Sequence, residues 1–441
     1  MLDHGADINA QGSTPKYPVD QAIFGGNLEA ADKLLEVEAK FSGQALVEAV
    51  DYKSKEYLVP DLLKRGANPN TEDERQGNVL QLAISKGCQE STVMALLGAG
   101  ADVNAIEGEH GTALQAAVYR KEESLVRLLL DSGAIVNPPP SGDYGNPLQI
   151  AASTSRSENI LELLLERGAD VHALGGRYGS IIQAAAAFGN EPLVDRCLRN
   201  NVDTNVVGGE YGTALRAAVA MEHENIVKLL LEVGAQIDNK ASAFHSTKAN
   251  EWSNNTFSST LEVATASCNI SIFQLLLDHG MTLSPQYLEN AITEAVTTLG
   301  VGNKSKMLDF LISKGADVKK YGGKGLFFAC EWNGKIEIVQ KLISLGAPLN
   351  WSWDGDTGSA LMNAIGRGHK DMALVLLDAG TDVNLAAGRS GTALIQAIEK
   401  GNREMALELL ERGADPNIKA GDDGTALTMA AKKGDEKMFY E

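Results

Sequence analysis

One motif of about 33 residues recurs along most of this 441-residue chain. In its clearest copy, residues 212–238, Thr213 is a suitable N-cap for a short helix over 214–220 that is rich in alanine. A second helix carries a broad apolar stripe and ends at Gly234, because glycine enters the left-handed C′ conformation without strain. One such helix pair cannot bury both of its faces, so it needs copies of itself on either side.

The glycine that ends the second helix marks each copy. It stands at positions 66, 100, 133, 168, 234, 280, 315, 346, 380 and 413. Between 168 and 234 lie two periods, and Asn201 takes the intervening glycine position, since asparagine is the next most tolerant residue for that geometry.

The period and the pattern T-A-L-x-A-A followed by LLL-x-x-GAD-V-N resemble the ankyrin repeat over nearly the whole chain. The chain departs from the family's T-P-L-H, which becomes T-A-L-Q at 112–115, N-P-L-Q at 146–149 and S-I-I-Q at 180–183. The loops between repeats, here called fingers, are long, as at 208–212, and are similar to those of fungal arrays, some carried by NACHT-type NTPases. The resemblance implies an all-α solenoid of paired antiparallel helices with β-hairpin-like fingers.

The repeats predict two stacks and a seam. The N-terminal stack is 1–238, with a partial repeat at 1–18 and an irregular unit at 41–70. The seam is the polar insertion 239–258, since Gly234 and Gly280 are 46 residues apart. The C-terminal stack is 259–441, with an irregular unit at 284–319, regular units at 325–350, 358–384 and 391–417, and a partial repeat at 424–441. In the irregular unit 41–70, Pro60 should kink the second helix or delay its start.

The chain carries 58 acidic and 39 basic side chains, for a formal net charge of −19. This balance argues against a nucleic-acid backbone or an anionic membrane as the main partner. It favours a basic partner, although a solvated acidic surface is the simpler interpretation. No apolar run reaches the ~18 residues of a membrane-spanning helix.

Sites for chemistry are not indicated by the sequence, and no cofactor, metal or catalytic residue is expected. The four cysteines lie in different repeats without a C-x-x-C pair, which suits a reducing compartment such as the cytoplasm or the nucleus. The seven histidines scatter over unrelated repeat positions. Residues 299–305 lack the spacing and the preceding strand of a phosphate loop.

Candidate binding residues come from the concave face that the resemblance implies, formed by fingers and first helices. His110, Tyr144, Tyr178 and Tyr211 precede finger glycines, so their rings should form a row that either packs finger against finger or binds a partner. The two residues before each elbow, the turn between the paired helices, should face the same groove; these pairs include Tyr119 with Arg120, Ala187 with Phe188, Ala220 with Met221, and Trp332 with Asn333. Of these we select Tyr119, Arg120 and Trp332 as interface-forming residue types. Trp351 and Trp353 share one finger and form a second cluster.

The sequence therefore predicts a non-catalytic adaptor or scaffold that binds a protein or peptide. The alternative is the recognition array of a larger signalling or enzyme chain, which the partial repeats at both ends favour. An enzyme in its own right would need a site in 239–258 or 299–306, and no motif there indicates one.

Overall fold

The computed structural model describes residues 6–11, 17–73, 77–106, 108, 111–139, 145–154, 157–237, 259–297, 304–331, 336–352, 358–389, 391–420 and 424–434. The chain divides into two compact units, residues 1–236 and 237–441. The expected seam, 239–258, lies outside the described residues, so its role as a boundary between stacks stays a prediction.

Residues 1–236 form helix pairs that follow one another along the chain. The helices are α1 (Pro18–Phe24), α2 (Leu28–Glu36), α3 (Gly43–Asp51), a 3-10 helix (Lys53–Leu58), α4 (Val59–Lys64), α5 (Val79–Lys86), α6 (Glu90–Gly98), α7 (Ala113–Arg120), α8 (Glu123–Asp131), α9 (Pro147–Ala152), α10 (Glu158–Glu166), α11 (Ile181–Phe188), α12 (Glu191–Arg199), α13 (Ala214–Ala220) and α14 (Glu224–Glu232). Two fingers are short antiparallel hairpins, β1 (Glu72–Asp73) with β2 (Gly77–Asn78), and β3 (Leu174–Gly175) with β4 (Gly179–Ser180).

Residues 237–441 are also built from helix pairs. Their helices are α15 (Thr260–Ser267), α16 (Ile270–Asp278), α17 (Pro285–Thr297), α18 (Lys304–Ser313), α19 (Val318–Glu331), α20 (Ile336–Ser344), α21 (Ala360–Gly366), α22 (Lys370–Asp378), α23 (Ala393–Glu399), α24 (Arg403–Glu411) and α25 (Ala426–Lys433). The ten glycines predicted to end second helices all have positive φ, as does Asn201 at +54°, so that prediction is confirmed.

Most first helices inside the two units are largely buried, because small side chains let neighbouring repeats approach. In α11 every residue from Ile181 to Ala187 is buried, and α11 packs against α13 of the next repeat. Thr213 caps α13 as predicted, accepting a hydrogen bond from the Arg216 N–H at 3.2 Å. The core is therefore a row of short alanine-rich helices, backed by the leucines of the second helices.

A glutamine in the first turn of a first helix ties its repeat to the following finger. The residues in this role are Gln81, Gln115, Gln149 and Gln183, at the position where the ankyrin pattern has histidine. Gln183 Nε2 donates to the carbonyl oxygens of Val206 (3.2 Å), Gly208 (3.0 Å) and Gly212 (2.7 Å). The departure from the family motif thus keeps a buried donor that satisfies carbonyl groups of the next finger.

An asparagine after several of the second helices forms a second tie between repeats. Asn104 Oδ1 accepts from the Ile135 N–H at 2.8 Å, and Asn104 Nδ2 donates to the Gly133 carbonyl at 3.1 Å. The same pair of bonds recurs at Asn70 and Asn384. These repeats are therefore fixed to the next ones through backbone groups that the turn would otherwise leave without partners.

The irregular unit 41–70 replaces the usual elbow with the 3-10 helix. Pro60 lies in the first turn of α4, where its missing N–H costs nothing, so the predicted delay of the helix start is confirmed. The charged stretch in between is partly buried: Lys55 lies 3.7 Å from Glu48, and Glu56 accepts from the Gln89 N–H at 2.5 Å.

One expectation for the second unit is wrong. The sequence predicted a regular repeat over 325–350, but its first helix, α19, begins at Val318 and runs through Gly322, Gly323 and Gly325. Each glycine costs a helix about 1 kcal/mol relative to alanine, so propensity alone disfavours this. Close packing reverses the balance, because a Cβ on Gly323 would overlap Trp351, and one on Gly325 would lie 3.2 Å from Ile292 Cγ2.

Candidate binding surface

Two tyrosines of the predicted row lie over first helices. The Tyr178 ring meets the Phe188 ring edge-on, with centroids 5.3 Å apart, and only 7% of Tyr178 is exposed. In the next repeat the Tyr211 hydroxyl lies 3.7 Å from the Met221 sulfur. Each tyrosine thus covers its own first helix and reaches the residue before the elbow.

The fingers of these two repeats are locked together. Arg177 and Glu210 form an ion pair through two hydrogen bonds, and the Arg177 guanidinium lies 5.5 Å from the centre of the Tyr178 ring. The Glu210 N–H donates to the Arg177 carbonyl at 2.7 Å. Gly209, at φ +63°, passes so close to the Tyr178 carbonyl that a side chain there would overlap it. The sequence allowed the tyrosine row either to pack finger against finger or to bind a partner. In these two repeats the fingers do pack against each other, and the side chains next to the tyrosines are exposed.

Those neighbours are Phe188 and Met221, at equivalent positions where α11 and α13 end. They are 46% and 45% exposed, although large apolar side chains are usually covered. Leu174 and Val207, also at equivalent positions, are exposed on the two fingers that lead into these helices. We call the six residues of this surface the apolar strip; they are Leu174, Tyr178, Phe188, Val207, Tyr211 and Met221.

Sequence reasoning placed Phe188 and Met221 before the elbow but did not select them, and it missed Leu174 and Val207. The usable signal was repetition: an apolar residue precedes a Gly-Gly pair at the same finger position in two repeats, 33 residues apart.

Tyr119 and Arg120 lie at the C-terminal end of α7, a first helix that packs between α5 and α9. Tyr119 is exposed, and Arg120 bonds Glu122 at 2.8 Å and the Ser85 carbonyl of the preceding repeat at 2.9 Å. Arg120 therefore ties two repeats together at this surface.

Trp351 is half-buried and packs on the second unit's own helix. Its ring meets the Phe327 ring at 5.8 Å, and its Cβ covers Gly323. Tyr144, Trp332 and Trp353 lie outside the described residues, and so does His110.

Burial sets the acidity of the strip's phenols. It raises the pKa of Tyr211 to about 12, with smaller contributions from the charges of Glu210 and Tyr178. Burial likewise raises the pKa of Tyr178. Both side chains are therefore neutral donors at physiological pH.

Comparison with protein families identifies the repeats. A model described as "Ankyrin repeats (3 copies)" matches residues 46–139, 80–174, 298–387 and 326–420, and one described as "Ankyrin repeats (many copies)" matches 182–231. The chain belongs to the ankyrin-repeat family. Among solved structures, the human ASB11 ankyrin repeat domain is similar at 24% identity and a TM-score of 0.39, over 53% of this chain and 96% of that one. No curated protein sequence matches the chain.

Membership of the ankyrin-repeat family confirms the predicted all-α solenoid. Ankyrin repeats are generally protein–protein interaction modules, and the fold is typically non-catalytic. Within the described residues, no group of three or more His, Cys, Asp or Glu side chains is placed to hold a metal ion. A search of the same residues finds no helix with the length and hydropathy needed to cross a membrane.

The four thiols are all buried inside the ankyrin repeats. Burial raises the pKa of Cys88 to about 11 and of Cys197 and Cys330 to about 12. Since the thiolate is the reactive form, these three cysteines act as small core residues.

Proposed function

We propose that this chain is a non-catalytic adaptor or scaffold that binds a protein or peptide through the face formed by fingers and first helices. The observation that carries the proposal is the apolar strip. Two adjacent repeats expose large apolar side chains at the same two positions, and such contiguous exposure marks interaction sites in proteins. The general role of ankyrin repeats supports the same function.

Within this proposal the predicted residues take different parts. Tyr178 and Tyr211 form the floor of the strip, and Tyr119 and Arg120 extend the surface toward the preceding repeats. Tyr144 would continue the floor between them, and this stays a prediction, as do Trp332 and Trp353. Trp351 is better explained by its contact with α19 than by binding.

Two broader points belong to the proposal. The chain forms two stacks, 1–238 and 259–441, and we assign binding to the first. A cytoplasmic location accords with four buried free thiols. The alternative, that these repeats are the recognition array of a larger signalling or enzyme chain, uses the same surface for the same contact.

The test compares capture of proteins from cell lysate by three forms of the chain. The strip variant is Phe188→Ser with Met221→Ser, which removes exposed groups and leaves the core intact. The matched control is Ile135→Ser with Val233→Ser, because both residues are 53% exposed in the same unit but lie outside the strip. Circular dichroism checks that all three are folded.

A protein captured by wild type and control, and lost from the strip variant, supports the proposal. Equal capture by all three forms would exclude the strip as the binding surface. If no form captures a specific protein, the adaptor function itself is wrong.

A further inference from the structure

The apolar strip offers rings and a thioether, and two ion pairs lie on or beside it. Arg177 bonds Glu210 across the two fingers, and Arg120 bonds Glu122 on the neighbouring surface. A partner backbone that needed donors or acceptors from this surface would lose its hydrogen bonds to water without replacement. An α-helix satisfies its own backbone groups and presents only side chains, so it can bury one face here at little cost.

The spacing of the strip also fits a helix. Phe188 and Met221 occupy equivalent positions at the C-terminal ends of α11 and α13, which pack side by side. Neighbouring helices lie roughly 8–10 Å apart. In an α-helix, residues one heptad apart are separated by about 10.5 Å. In a strand, residues on one face repeat about every 6.7 Å, which is out of step with the repeats.

The charge of the first unit favours one sign of partner. Residues 1–236 contain 33 of the 58 acidic side chains but only 19 of the 39 basic ones. This unit therefore holds most of the chain's excess negative charge. A field of that sign attracts a basic segment and repels an acidic one before any contact forms.

We propose that the apolar strip binds an amphipathic helix of a partner protein, with apolar residues one heptad apart and a basic polar face. The inference rests on the proposed adaptor function and specifies which kind of segment the surface accepts. Phe188 and Met221 meet successive apolar layers of the helix, and Tyr178 and Tyr211 form the floor beneath them. Leu174 and Val207 add apolar surface on the fingers.

The test is fluorescence anisotropy with labelled 21-residue peptides and the full chain. The first peptide has leucine at heptad a and d positions and lysine on its polar face. The second peptide replaces each lysine with glutamate, and the third scrambles the first so that its apolar face is lost. The fourth is a proline-rich peptide of the same charge as the first. It is included because polyproline II repeats about every 9.3 Å, close to the spacing of neighbouring helices. Each is titrated against wild type, the Phe188→Ser/Met221→Ser variant and the Ile135→Ser/Val233→Ser control.

We expect the basic helical peptide to bind wild type and the Ile135→Ser/Val233→Ser control equally. It should bind the Phe188→Ser/Met221→Ser variant at least about tenfold more weakly. The acidic, scrambled and proline-rich peptides should bind wild type at least about tenfold more weakly than the basic helix. If the scrambled peptide binds wild type as tightly as the basic helix, charge alone explains the binding and the inference fails. If the proline-rich peptide binds as tightly, the partner segment need not be helical and the inference fails as well. If the strip variant loses its captured protein in lysate but no helical peptide binds, the adaptor function stands and this inference fails. If neither experiment depends on the strip, both fail.

Discussion

Replacing Gly323 by alanine should destabilise the second unit, although the same change in most helices is stabilising. Alanine in a helix interior gains about 1 kcal/mol over glycine. At Gly323 the added Cβ would lie 2.9 Å from Trp351 Cγ and 3.0 Å from the Pro348 carbonyl oxygen, and closer still to Trp351 Cβ. Carbon atoms prefer separations of about 3.5–4.0 Å, so the overlap is severe.

No change of rotamer relieves this overlap, because both Cβ atoms are fixed to their backbones. Either α19 or the turn that carries Trp351 must move, and overpacking of this kind costs about 1–3 kcal/mol. After subtraction of the gain of about 1 kcal/mol in helix propensity, the expected net loss of unfolding free energy is roughly 0–2 kcal/mol, and the severity of the overlap places it toward the upper end. Gly325→Ala, whose Cβ would lie 3.2 Å from Ile292 Cγ2, should be close to neutral.

Urea unfolding followed by tryptophan fluorescence measures this change selectively. All four tryptophans lie within residues 237–441, so their emission reports on the second unit. The matched control is Gly98→Ala in α6, read by circular dichroism, because a Cβ there would meet no atom within 4 Å. The control should be unchanged or stabilised by up to about 1 kcal/mol. Stabilisation of the second unit by Gly323→Ala would refute the close contact between α19 and Trp351.

Three further outcomes are expected. Burial, with the charge of Glu262, raises the pKa of Glu294 to about 8, so the second unit should lose a few kcal/mol of stability as pH rises from about 4.5 to 8. Urea titrations at pH 5 and 8 measure this loss, and Glu294→Gln should remove it. An equal loss of stability in the variant would contradict the raised pKa. Gln183→Leu should lower the unfolding free energy by about 1–3 kcal/mol and speed amide hydrogen exchange in residues 204–212, because three carbonyl groups lose the Gln183 donor. Unaltered exchange would show that these hydrogen bonds are dispensable. The Tyr211 phenol should ionise near pH 12 rather than 10, so stability falls between those values. In Tyr211→Phe the phenolate absorbance titration should lose one phenol near pH 12, and an unchanged amplitude there would contradict the raised pKa.

The second-helix ends were predictable from sequence, and α19 was not. A glycine after an apolar stripe has a local cause, because the left-handed turn at Gly234 depends on that residue alone. The glycines in α19 carry the same local signal for a loop. Their helical conformation depends on Trp351 and Ile292, which are distant in sequence, so tertiary packing overrides propensity.

The candidate site divides in a similar way. Spacing alone predicted that Tyr178 and Tyr211 would occupy equivalent places in adjacent repeats. It could not tell which ring atoms would be covered, because that depends on the finger of the next repeat. Phe188 and Met221 each follow a run of mostly buried small side chains, and the periodic pattern does not encode that they themselves are exposed.

The glutamine ties connect the stability of the first unit to the geometry of the strip. Gln183 lies on α11, the helix that also carries Phe188. Its side chain donates hydrogen bonds to the finger that contains Tyr211. Buried hydrogen bonds therefore fix the residues of the strip in one repeat relative to those in the next. A rigid surface loses less conformational entropy when it binds a partner. In the second unit the equivalent positions hold Met362, Ile395 and Thr428, which lack an amide donor for the next finger. A preorganised surface thus belongs to the first unit, where the exposed apolar side chains of adjacent repeats are also found.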